Sequence, residues 1–213
     1  MNLSPEELLK NFNKLIKAIE ISIQTPEKRD ALIALHKDWE VRISTAPAST
    51  KKSYHNAFVG GYVLHVLNVM KGCSKILESW KSLGFTPDFT EEEMYFSAVC
   101  HDLGKIGDEN NDYYIPCEEQ WLTKKGQLFV LNPALQFMKV AERSLMTLHN
   151  RGIKVTEKEY LAIKLHDGLY EDSNKPYLIS YSEDYELRTM LPHILHQADL
   201  MSGKIEELNM RKK

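Results

Sequence analysis

Cysteine is scarce in this chain. The 213 residues include three, Cys73, Cys100 and Cys117, widely separated and in no CxxC pair. That spacing excludes a thiolate zinc site and a disulfide frame, and it reads as reduced thiols of a cytoplasmic protein. A basic excess is also lacking: 27 Lys and Arg stand against 30 Asp and Glu, a net charge of −3. A surface that coats a polynucleotide needs the opposite balance. No apolar run nears the roughly 20 residues that span a bilayer. The opening MNLSPEELLKNFNKL has early acidic groups and no apolar stretch of the signal-peptide kind. Internal repeats, low-complexity tracts and interdomain linkers are missing as well. What remains is 43% apolar and 27% charged, the composition of an ordinary globular domain, long enough to bury one sizeable core.

What is present is helical periodicity. Ser4-Pro5-Glu6-Glu7 combines an N-cap, a proline at the first helical position and an acidic first turn. Leu8, Phe12, Leu15, Ile16, Ile19 and Ile23 then recur at helical spacing. Thr25-Pro26-Glu27 starts a second helix that runs to about Ala46-Pro47, with His36 at its charged surface or edge. After the loop APASTKKSYHNAFVGG, a third helix spans about Tyr62 to Trp80. Thr90 and Glu93 form a capping box for a helix ending near Leu103-Gly104. Residues 105–133 read as a long irregular stretch, and loops of that length in a compact domain are functional or disordered. Helices are expected again over about Pro133 to Asn150, Thr156 to His166 and Glu183 to Asn209, with DGLYEDSNKPYLIS irregular between the last two. The fold expected is all-α, a single domain with an N-terminal helical extension over 1–47 and a core over 48–209.

Three of those helices carry metal-capable groups in apolar settings: His65 in GGYVLHVLNV, His101-Asp102 in AVCHDLGK, and Asp199 in ILHQADLMSG. A buried aspartate needs a cation or several donors, because an unpaired buried charge is very costly. Two imidazoles and two carboxylates suit a divalent ion, with manganese, cobalt, nickel, magnesium, iron and zinc all open at this point. Such an ion polarises a phosphoryl oxygen and activates water. Lys105 follows at the same helix mouth, where its other role is a solvated charge favoured by the helix dipole.

The order His65, His101-Asp102, Asp199 resembles the H…HD…D signature of the HD-domain metal-dependent phosphohydrolase superfamily. YHNAFVGGYVLHVLNV is similar to the HHAYxGGLLEHT segment of a branch that includes bacterial 3′-to-5′ exoribonucleases and phage-type HD proteins. The resemblance covers about residues 47 to 205. It departs at Tyr54-His55, where the branch doubles its histidine, and at KKGQLFVLNP, where Asn132 stands near a family histidine. The resemblance implies an HD-type helical bundle with two additional N-terminal helices. It implies His65, His101, Asp102 and Asp199 as metal ligands and hydrolysis of a phosphate ester by metal-activated water. Lys105, Arg143 and His55 would contact substrate, with Lys105, Asp102 and His166 as the catalytic set. Asp167, His149, His193 and His196 are weaker candidates, His196 in a supporting role. Tyr113, Tyr114 and Trp121 would either stack on a base or pack the long loop onto the core. The expected substrate is a nucleotide or other small phosphorylated molecule, not a long nucleic acid and not a membrane. Two rival readings are a di-iron oxygenase and a non-catalytic nucleotide-binding or interaction module that has kept the metal site.

Overall fold

The computed structural model describes residues 3–179 and 182–212. Its architecture is mostly helical, with one small hairpin, in agreement with the all-α expectation. Helix α1 (Pro5–Ser22) opens on a reciprocal cap: the Glu7 amide donates to Ser4 Oγ, and the Ser4 amide donates to the Glu7 carboxylate. Its Phe12, Leu15, Ile16 and Ile19 face inward.

The expected second helix is two, α2 (Pro26–Asp38) and α3 (Glu40–Thr45), separated at Trp39. The break buries the indole, which Arg42 and Arg151 flank with their guanidinium groups. His36 is not at the surface. It lies four residues after Leu32 on the inward face of α2, fully buried. Its Nδ1 donates to the Leu32 carbonyl, and its Nε2 has no partner. Charged neighbours masked its placement, because they occupy the other faces of the same helix.

Burial pushes the His36 imidazole down to about 4, from an ordinary 6.5. The unfolded chain therefore takes up a proton that the folded chain refuses across that window. The stability tied to neutral His36 is complete above pH 6.5 and is lost as pH falls toward 4, up to about 3 kcal/mol. Urea unfolding of wild type and His36→Leu at pH 7.5 and pH 5 measures this. The wild type is expected to lose about 2 kcal/mol more than the variant between the two pH values; equal losses would contradict it.

Helix α4 (Gly61–Ser82) follows, then α5 (Glu91–Cys100), capped by the expected Thr90–Glu93 box. A 3-10 turn over Leu103–Ile106 carries the chain away from α5. Residues 105–133 are more ordered than their composition indicated. Strands β1 (Tyr114–Pro116) and β2 (Phe129–Leu131) pair antiparallel, Tyr114 opposite Leu131 and Pro116 opposite Phe129. The short helix α6 (Gln120–Lys124) lies in the connection. A bridge between Lys51 and Gln127 ties this hairpin to the loop before α4.

Helix α7 (Val140–Asn150) starts later than Pro133. Residues 132–135 form a turn instead, with the Leu135 amide on the Asn132 carbonyl and the Ala134 amide on Asn132 Oδ1. Helix α8 (Glu157–Leu165) has the Thr156–Glu159 box and ends at His166. The stretch expected to be irregular holds two 3-10 turns and α9 (Lys175–Leu178); Ser180 lies outside the described residues. The last helix, α10, runs Leu191–Arg211. Pro192 sets this start, since proline fits the first helical turn and obstructs helix before it. Glu183–Tyr185 forms a separate 3-10 turn.

Helix α4 packs along α10 and α5, and α8 packs against α5 and α10. The site-bearing helices are thus mutual neighbours. Helix α1 lies against α4 and α5, and the buried Lys28–Glu159 ion pair (2.7 Å) joins α2 to α8. The N-terminal helices share one apolar cluster with the helices that carry the site.

Among the described residues, no helix is long and apolar enough to cross a membrane.

Candidate metal centre

His65 sits on the inward face of α4, His101 and Asp102 at the end of α5, His166 at the end of α8, and Asp199 on α10. His65, His101, Asp102 and His166 are all buried, while about a fifth of the Asp199 side chain is exposed. Ligand atoms of His65, His101 and Asp102 lie within 4.8 Å of one another. His65 Nε2 is 3.0 Å from Asp199 Oδ1 and 3.6 Å from Asp102 Oδ2; His101 Nε2 is 3.5 Å from Asp102 Oδ2 and 3.9 Å from Asp199 Oδ1. The four residues read from the sequence as ligands therefore converge.

The far side of each ring explains its orientation. His101 Nδ1 lies 2.8 Å from the Ala98 carbonyl, and His166 Nδ1 lies 2.7 Å from the Ile163 carbonyl. A carbonyl only accepts, so each Nδ1 carries a proton and a neutral ring presents a bare Nε2 inward. His65 Nδ1 faces Glu206 Oε2 at 3.0 Å. Buried Nε2 atoms of His65 and His101 have no hydrogen-bond partner, and a buried polar atom left so is costly. With both rings neutral, the two Nε2 atoms and the two carboxylates they face form a donor set that fits a divalent first-row cation.

The charges point the same way. Burial alone would lower the His65 imidazole, but the Asp199 and Glu206 carboxylates hold it up at about 10. Burial would raise Asp102 and Asp199; Lys105 with His101 brings the first well below the usual carboxylate range, and His65 with His101 does the same to the second. His101, dominated by burial, falls to about 4. The cluster is short of positive charge, and its carboxylates draw it from whatever lies near.

Lys105 supplies part of it. Its Nζ is 2.6 Å from Asp102 Oδ2. The other Asp102 oxygen faces His166 Nε2 at 3.6 Å, and Asp167 Oδ2 flanks that nitrogen at the same distance. Half-buried His55 lies beside His65, ring centroids 4.8 Å apart and planes tilted by 39°, with its Nε2 unpartnered. His196 Nδ1 donates to the His166 carbonyl at 2.7 Å. That ring presses on Gly168, where a Cβ would meet it at 2.3 Å. His193 is adjacent on α10, and His149 is exposed at the end of α7.

Arg143 stands apart from the ligands. It is buried, donates to the Gln136 carbonyl and lies over the Tyr113 ring. It braces the segment after the hairpin. Ser144 bridges the metal turn, donating to the His101 carbonyl and accepting from the Gly104 amide. Gly104 is required by close approach, not by a special turn: a Cβ there would lie 2.2 Å from the Val140 carbonyl oxygen. Asn132 is consumed by its turn, donating to the Asp112 carbonyl and accepting from Ala134.

Glu206 went unread in the sequence. It is buried, receives Asn68 Nδ2 at 2.7 Å and holds His65. Its signal is spacing: seven residues after Asp199, two turns along one helix face. Glu206→Gln keeps the shape and removes the charge. It is expected to weaken Mn²⁺ binding by about 10–100-fold, the usual effect of a group that orients a ligand. Calorimetric titration checks this; unchanged affinity would reduce Glu206 to packing.

Compared with protein-family models, curated proteins and solved structures, the chain matches none.

Proposed function

We propose that the chain is a divalent-metal-dependent phosphohydrolase of the HD-domain type, acting on a nucleotide or very short oligonucleotide. The observation that carries this reading is the pair of buried, unpartnered Nε2 atoms of His65 and His101 facing Asp102 and Asp199. His65, His101, Asp102 and Asp199 would hold the ion. Such an ion supplies Lewis-acid polarisation of a phosphoryl oxygen and a more acidic water.

The remaining steps belong to side chains. Lys105 lies between the Asp102 carboxylate and an adjoining cavity, where its ammonium neutralises charge that grows on the phosphoryl oxygens. Against the effect of burial, Asp167 and Asp102 hold the His166 imidazole up at about 9, so its Nε2, on the opposite side of Asp102, would carry a proton to hand to the departing oxygen. His55 borders His65 and would touch substrate or a ligand water. Ser144 and His196 hold the His101 and His166 carbonyls and so fix both helix ends.

Small substrates fit the charge distribution. A polymer track needs several basic residues in line, and its binding falls steeply with salt. Arg143 is buried on α7 with its guanidinium on the Gln136 carbonyl, and Lys125 is folded over the exposed Trp121 ring. The test is a screen of mononucleotides, a dinucleotide and a long single strand against Mn²⁺, Co²⁺, Ni²⁺, Mg²⁺, Fe²⁺ and Zn²⁺ at physiological salt. The expected result is metal-dependent cleavage favouring the mononucleotide or dinucleotide. Processive degradation of the long strand would overturn the size preference, and no cleavage of any phosphate ester would overturn the activity.

A further inference from the structure

A cavity of about 180 Å³ opens beside Lys105. Its walls come from separate parts of the chain. Pro47 and Val59 belong to the loop that precedes α4, Tyr113 precedes β1, Tyr114 and Pro116 lie in β1, and Phe129 is paired with Pro116 across the hairpin. Period-two alternation puts Tyr114 and Pro116 on one face of β1, with Phe129 directly opposite Pro116. The Lys51–Gln127 bridge holds the hairpin against the loop. The Tyr113 and Tyr114 rings meet edge-on, centroids 4.8 Å apart. The result is a slot with aromatic and proline walls, and with the Lys105 side chain at its edge.

We propose that this cavity binds the planar base of a nucleoside phosphate, whose phosphate lies at Lys105 and the metal centre. The proposal rests on the phosphohydrolase reading for the position of the phosphate. Three observations carry the rest. First, Lys105 is common to both places: its Nζ contacts Asp102, and its chain lines the cavity. One molecule with an anionic end and a flat apolar end would therefore span them.

Second, the size is selective. Sites for drug-sized ligands measure roughly 300–1,000 Å³, so this one suits a single ring system and not a chain of bases. Third, the rim polarity suits a base. Arg42 is spent: its guanidinium pairs with Asp112 at 3.0 Å and donates to the Asp108 and Glu109 carbonyls. Asp112 remains largely exposed at the cavity edge, and its carboxylate accepts from an exocyclic amino group. Trp121 takes no part; it is exposed, bonded to Glu119 and covered by Lys125.

The test compares adenosine 5′-monophosphate with ribose 5-phosphate, the same phosphate without the base. Binding is measured by calorimetry with chelator present, so that affinity is read without turnover. Wild type is expected to bind the nucleotide at least about tenfold tighter, the scale on which one stacked base counts. Ala46→Leu and Val59→Trp both fill the slot, and Val59 is exposed enough to accept the larger ring without disturbing the core. Each is expected to erase the nucleotide's margin while leaving ribose 5-phosphate within about twofold of wild type. Equal binding of the two ligands to wild type, or an undiminished margin in both folded variants, would overturn the proposal. Adding Mn²⁺ to the same wild-type samples separates the two readings: base-dependent binding without phosphate release would overturn the hydrolase and leave the base site standing.

Discussion

Asp102→Ala is expected to purify with an unchanged helical signal, to lose affinity for Mn²⁺ by more than about 10²-fold, and to show no turnover. The magnitude follows from rank: groups that only orient a ligand already account for about 10–100-fold, and Asp102 faces the centre directly. One of its oxygens lies near His65, His101 and Lys105, and the other near His166. No other residue described touches all four. Its loss strands the Lys105 ammonium. The cost to stability should nevertheless stay below the about 3–5 kcal/mol of a trapped buried charge, because Lys105 borders an open cavity and can turn toward water. Metal content by atomic emission, with circular dichroism on the same sample, reads the outcome. Full metal occupancy in the folded variant would remove Asp102 from the centre.

Lys105→Met is expected to separate metal binding from chemistry. Methionine keeps an unbranched side chain and drops the charge. The ion would lose its competitor for Asp102 Oδ2, so affinity should hold or rise. Turnover should fall by about 10²–10³, the usual cost of removing one donor from a developing oxyanion. The split is diagnostic: kcat falls while the metal dissociation constant does not weaken. Unchanged kcat would return Lys105 to a charge whose sole business is to balance Asp102.

The convergence of His65, His101, Asp102 and Asp199 was legible because each member breaks a local pattern. They are polar groups inside otherwise apolar helical stripes, and three helices repeat that violation. Helix starts marked by paired side chains were equally legible, as the Ser4, Thr90 and Thr156 boxes show. What stayed hidden depends on distance in space. Glu206 looks like one more acid in KIEEL until α10 lies along α4. His36 sits among charges in sequence and among leucines in the fold. The hairpin strands are three residues each, too short for alternation to stand out, so the cavity they wall had no signature. Arg143 was read as a phosphate contact because an arginine near a metal motif invites it; packing gives it to Tyr113 and Gln136 instead.

Asn132 bears on the oxygenase rival. An additional histidine ligand would be wanted in that region, and the side chain there is engaged in closing a turn. The binding-module rival shares every feature of the metal shell and parts from the hydrolase only in turnover.

The most direct measurement is therefore a titration of chelator-stripped protein with Mn²⁺, following bound metal and release of phosphate or nucleoside from a mononucleotide in the same samples. The account predicts no release from stripped protein, and turnover that rises in proportion to metal bound and vanishes again on chelation. Saturable metal binding with no product, across the mononucleotides and a dinucleotide, would contradict it.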